Sequence, residues 1–117
     1  MGYLMTSKEE RKKRLEEELQ RILAILRDWG AERIILFGSL ASGNVHMGSD
    51  LDLVVVARTS KPFLKRLEEV YQIVQPRVAV DILVYTPEEF VIWQESPFGK
   101  RVMQEGKVLY AQEKSPR

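Results

Sequence analysis

Two short, nearly continuous apolar runs on either side of a turn-rich link constrain this chain more than any other feature. Arg33-Ile34-Ile35-Leu36-Phe37 leads in, and Leu51-Asp52-Leu53-Val54-Val55-Val56-Ala57 leads out. Neither shows the strict in–out alternation of a strand with one wet face. Both therefore suit a sheet that is covered on its two sides. The link between them is built of Gly, Ser, Asn and His, and Gly38-Ser39 ends the first run. Two carboxylates, Asp50 and Asp52, stand at i and i+2 at the head of the second run.

The rest of the chain supplies helices for that sheet. Ser7-Lys8-Glu9-Glu10 reads as a capping box and opens a helix over about 7–29. Leu15, Leu19, Ile22, Leu26 and Trp29 recur along it at helical spacing, and Gly30 stops it. Its basic cluster, Arg11-Lys12-Lys13-Arg14, is surrounded by Glu9, Glu10, Glu16, Glu17 and Glu18. That pattern describes a solvated face with i,i+4 pairs rather than a nucleic-acid contact. A second long helix starts at Ser60-Lys61-Pro62 and ends at Pro76, with Phe63, Leu64, Leu67, Val70, Tyr71 and Val74 as its apolar stripe. Val78 to Val84 is the third strand. Thr86-Pro87-Glu88-Glu89 is another capping box, opening a helix with Phe90, Val91 and Trp93. A last helix begins near Pro97 and stops at Gly106, before a short strand over Lys107-Val108-Leu109-Tyr110.

Strands alternating with helices predict an α/β (α+β) fold, a small mixed sheet flanked by helices. With 117 residues the expectation is one domain over 1–117, with an N-terminal helix, a core over about 30–110 and a polar, frayed tail from 112 to 117. The content of 44% hydrophobic and 30% charged residues argues against disorder. A net charge of +1 does not drive the chain onto nucleic acid. The absence of cysteine excludes disulfides and thiolate zinc sites. No signal peptide is read and no apolar run reaches the ~18 residues of a membrane span, so the expected location is the cytoplasm.

Three acids and a turn carry the chemistry. A glycine leaving a strand lets the backbone approach a ligand, and Gly38 with the Ser39 hydroxyl can cradle a phosphate. On a strand, i and i+2 share a face, so Asp50 and Asp52 lie roughly 6.6 Å apart at Cα. They suit Mg²⁺, which takes carboxylates together with substrate phosphates. Asp81 sits inside an apolar strand, where an unpaired carboxylate is costly to bury, so it pairs with a cation or borders solvent. If its strand lies beside the second, all three acids meet on one face.

The stretch Phe37-Gly38-Ser39, ten residues, then Asp50-Leu51-Asp52-Leu53, with Asp81 on a later strand, resembles the signature of the DNA polymerase β-like nucleotidyltransferase superfamily. The short length and the ending Gly106-Lys107-Val108-Leu109-Tyr110 are similar to its minimal nucleotidyltransferase branch. The resemblance implies triphosphate binding at Gly38 and Ser39. It also implies two Mg²⁺ ions held by Asp50, Asp52 and Asp81, with Asp81 activating the attacking hydroxyl. One residue departs from the pattern: many minimal members carry Gly-Ser-x-Ala-Arg-Gly, and Ser42 stands where that arginine would be. His46, in the spacer, is within reach of a phosphate on this reading, although a lone loop histidine is more often solvent-exposed.

Little chain remains to hold a small acceptor, so the resemblance implies a protein acceptor, or a partner subunit that completes the site. The expected activity is AMP transfer from ATP to a HEPN-type partner, with this chain as the antitoxin of a toxin–antitoxin pair. The rival reading is a binding module that neutralises its partner by contact alone, and a third is a regulatory nucleotide-binding subunit. The outer face of the first helix and the Trp93–Phe98 region are candidate contact surfaces, although Trp93 fits a core role better. Self-association is left open by the sequence.

Overall fold

A computed structural model of the chain describes residues 6–45 and 50–113. Helix α1 spans Ser7–Trp29 and strand β1 Arg33–Phe37. A short helix, α2, spans Gly38–Ser42, followed by β2 over Leu51–Val56. Then come α3, Phe63–Val74, and β3, Val80–Tyr85. Helices α4, Pro87–Trp93, and α5, Pro97–Glu105, precede the last strand, β4, Lys107–Ala111. Each element expected from the sequence is present, with ends moved by a few residues. His46 and residues 114–117 lie outside the described residues.

The α1 cap sits one residue earlier than expected. Thr6, not Ser7, is the N-cap, and its hydroxyl accepts from the Glu9 amide at 3.0 Å. Thr6-Ser7-Lys8-Glu9 has the same spacing as a capping box, so the two frames compete and the outer one wins. At the other end Gly30 adopts φ 115° and donates to the carbonyls of Leu26 and Arg27. Leu15, Leu19, Ile22 and Leu26 are buried, as their spacing requires.

The four strands form one mixed sheet in the order β3-β2-β1-β4. Strand β1 runs antiparallel to β2 and β4, whereas β2 and β3 are parallel and joined through α3. Alternation along each strand divides the core in two. Ile34, Leu36, Leu51, Leu53, Val55, Ile82 and Val84 face α1 and α3. Ile35, Val54 and Val56 face Phe90 of α4 and Val102 of α5. Helices therefore cover both faces, which explains the unbroken apolar runs. Helix α5 folds tightly back on α4: a Cβ on Gly99 would lie 2.0 Å from the Trp93 carbonyl oxygen.

Two buried charges join these layers. Glu18 is 5% exposed and accepts from Arg21 Nε at 2.7 Å, from Arg21 Nη2 at 2.9 Å and from the Arg77 amide. These bonds, the Arg21 guanidinium first, hold its carboxyl below the usual range and tie α1 to the segment entering β3. The α3 stripe contains the other. Val70 and Val74 are buried as expected, but Leu64 is 71% exposed and Arg66 only 6%. The guanidinium is accommodated because it is saturated. Arg66 Nη1 and Nη2 donate to the two Glu89 oxygens at 2.6 and 3.2 Å, Nε to the Lys61 carbonyl, and Nη1 also to the Val84 carbonyl. Glu89 is itself the capping-box residue of α4, accepting from the Thr86 amide.

Removing the arginine leaves a carboxylate and two carbonyls short of a donor. Arg66→Ala is expected to cost about 2–3 kcal/mol, the low end for a broken buried pair because Glu89 is partly wet. It should appear as a lower urea midpoint at unchanged slope. Arg66→Lys should recover only a minority of the loss, since an ammonium cannot reproduce the fork.

Candidate active site

Phe37, Asp52 and Asp81 form one row across β1, β2 and β3: Phe37 pairs with Asp52, and Asp52 with Asp81. The same alternation that buries Val54 and Val56 under α4 and α5 puts Asp52 on their side of the sheet. Leu83 and Tyr85 place Asp81 there too. The helices cover the far end of that face and leave this end open. Asp52 is half-buried, Asp50 immediately before β2 is half-buried, and Asp81 is exposed. The expectation that Asp81 either pairs or borders solvent resolves in favour of solvent, because β3 is an edge strand.

Asp81 is nevertheless firmly seated. The Tyr71 hydroxyl donates to the Val80 carbonyl at 2.8 Å and accepts from the Ile82 amide at 3.0 Å. It bridges the backbone on both sides of Asp81 and stands where a further strand would have bonded. Burial pushes the Tyr71 phenol above its ordinary range. The sequence shows Tyr71 only as part of an apolar helical stripe, and nothing in that pattern signals the role.

The acids repel one another. The Asp52 carboxyl is pushed up to about 6, first by burial, then by the charges of Asp81 and Asp50, and by its hydrogen-bond contact with Asp81. Among the described residues no lysine or arginine forms an ion pair with any of the three. Nor do three or more acid or imidazole groups among them form a cluster that could by itself hold a metal ion. An uncompensated face of carboxylate oxygens with an incomplete ligand set fits Mg²⁺, which draws its remaining ligands from phosphates and water.

Gly38 abuts this face. It has φ 77°, a left-handed conformation, and a Cβ built on it would lie 2.2 Å from Asp52 Oδ2. Only glycine lets the turn pass the carboxylate at that distance. Ser39 follows as the second residue of α2, half-buried. Its carbonyl accepts from the Ser42 hydroxyl at 3.2 Å and from the Asn44 amide at 3.0 Å. Ser42, the position lacking the arginine, thus closes the end of α2.

Gly38 also borders a cleft of about 530 Å³, lined among others by Phe37, Ser42, Asn44, Phe98 and Arg101. Phe98 stands edge-on to Phe37, with ring centres 5.9 Å apart and planes at 83°. Trp93 packs against Tyr85, Phe90 and Phe98, in agreement with a core role. Arg101 carries no sequence signal for the site, since only the fold of α5 brings it near Gly38.

The arrangement has parallels of known structure. A candidate nucleotidyltransferase from Sulfolobus solfataricus superimposes with a TM-score of 0.68 at 23% identity, over 97% of this chain and 95% of that one. A chain of a toxin–antitoxin complex determined with AMP-PNP matches with a TM-score of 0.52 at 25% identity, over 80% of this chain and 73% of its own. A variant of the toxin–antitoxin MntA-HpeT gives 0.50 at 23% identity, over 80% and 73%. The first and third likenesses speak to the fold. No curated protein matches the chain. The nucleotidyltransferase domain model matches residues 13–110, which include the Gly38 turn and all three acids. The chain belongs to the nucleotidyltransferase domain family.

Proposed function

We propose that this chain is a cytoplasmic, Mg²⁺-dependent nucleotidyltransferase that moves AMP from ATP to a protein hydroxyl, and that it serves as the antitoxin of a HEPN-type toxin. The observation that carries the reading is the uncompensated acidic row pressed against the Gly38 turn. Family membership supports the reaction class. The likeness to a toxin–antitoxin chain determined with AMP-PNP supports an adenine nucleotide and a toxin partner.

In this reading Gly38 and Ser39 hold the triphosphate, and Asp50, Asp52 and Asp81 hold the metal. Bound Mg²⁺ would neutralise charge on the phosphates and on the leaving pyrophosphate. Asp81 is exposed on the outermost strand, so it is the acid that the side chain of a folded protein can reach. It takes the proton from the acceptor hydroxyl as the oxygen attacks the α-phosphorus. The α,β-bridging P–O bond breaks, and pyrophosphate leaves on the Gly38 side. The Tyr71 bridge holds the base in place.

The test is transfer of label from α-labelled ATP with Mg²⁺ in extract of the source organism. The native chain should yield a labelled protein band that Asp50→Asn/Asp52→Asn does not. A partner that is present, protected and unlabelled would instead support neutralisation by contact. If protection of the partner survives Asp50→Asn, contact alone suffices.

A further inference from the structure

We infer that Arg101, on α5, is the cation that holds the outer phosphates of the nucleotide. The inference rests on the nucleotide reading above and assigns a residue that the acid row and the Gly38 turn leave out. A triphosphate brings several negative charges beside three carboxylates. The described residues of the turn that line the cleft, Gly38, Ser42 and Asn44, are neutral. Arg101 is the one lysine or arginine among the described residues lining the cleft that opens at Gly38 and Ser42.

The side chain is available. Among the described residues its ion-pair partner is Glu105, four residues on, at 3.4 Å, with 74% and 65% of the two side chains exposed. Such a pair contributes little and yields readily to a more highly charged anion. The seat is firm, however. The next residue, Val102, is buried against Ile35, Val54 and Val56, and Gly99 locks the start of α5 to the Trp93 carbonyl. Phe98, one turn earlier, forms the same wall of the cleft. A guanidinium presented from a fixed helix suits bidentate binding of phosphate oxygens. Glu105 lines the same cleft and opposes an anion there. It is therefore a brake on binding, and this gives the inference a signature of opposite sign.

Calorimetric titration of the full chain with AMP-PNP and with AMP, both with Mg²⁺, tests it. Arg101→Ala should bind AMP-PNP about tenfold more weakly while AMP, which lacks the outer phosphates, binds as to the native chain. Arg101→Lys should fall between, and Glu105→Gln should tighten AMP-PNP by about two- to threefold. Circular dichroism and urea curves matching the native chain confirm that the exposed substitutions leave the fold intact. Equal AMP-PNP affinity of native and Arg101→Ala proteins would overturn the assignment and leave the nucleotide reading standing. Equal weakening of AMP and AMP-PNP would also overturn it. A native chain that binds neither nucleotide would overturn both.

Discussion

Gly38→Ala should lose AMP transfer by at least about a hundredfold, while Gly43→Ala, at the other end of the same short helix, should stay near native activity. Both glycines have positive φ, 77° and 84°. Alanine at either position pays for a left-handed conformation, roughly 1–2 kcal/mol. The surroundings differ. A Cβ at Gly43 meets nothing within 4 Å, whereas at Gly38 it meets Asp52 Oδ2 at 2.2 Å and Cγ at 3.0 Å. The turn and the carboxylate cannot both keep their places. Either Asp52 swings off the acid row or the turn draws away from β2, and misplacement of a reacting group by about 1 Å costs on the order of 10²-fold. Thermal unfolding and single-turnover transfer of the two variants separate the effects. Comparable losses of stability with activity lost only in Gly38→Ala are expected. Equal activity in both would mean that the closeness of Gly38 to Asp52 has no part in the chemistry.

That contact was half legible in the sequence. Gly38-Ser39 after an apolar run marked a tight turn, and Asp50-x-Asp52 marked a shared face, because glycine chemistry and the strand period are local properties. That turn and acid touch is a property of register, Phe37 opposite Asp52, which no local pattern encodes. The same division holds elsewhere. The helices follow from apolar spacing and caps, and the sequence leaves the first cap uncertain by one residue because Thr6 and Ser7 offer equivalent hydroxyls. Apolar spacing selects Leu64 over Arg66, since the burial of Arg66 depends on Glu89, 23 residues away. Tyr71 and Arg101 were unreadable for the same reason. The first matters through the backbone of another element, and the second through a cleft that exists only once α5 has folded back.

Asp52→Asn is expected to be inactive and more stable than the native chain, in metal-free buffer near neutral pH. The Asp52 carboxyl titrates near 6 in the folded protein against 3.8 in its ordinary state. The folded chain thus holds the proton more tightly than the unfolded one, and native stability falls as pH rises from about 4 through 6. The full gap would correspond to about 3 kcal/mol, and partial exposure of the group reduces this to roughly 1–2 kcal/mol. Asparagine carries no charge at any pH, so the advantage of the variant should vanish near pH 4 and be complete above pH 7. Added Mg²⁺ with AMP-PNP should reverse the order, because ligand binding stabilises only a chain that retains its acids. Transfer should fall on the order of 10³-fold, as when one preorganised electrostatic contact is removed. Melting curves of both proteins at pH 4, 6 and 8, with EDTA and then with Mg²⁺ and AMP-PNP, measure all of this. A variant less stable than native at pH 8 in EDTA would mean that the acid row is compensated within the fold. In that case the charge that calls for a metal would not exist, and the transferase reading would lose its physical basis.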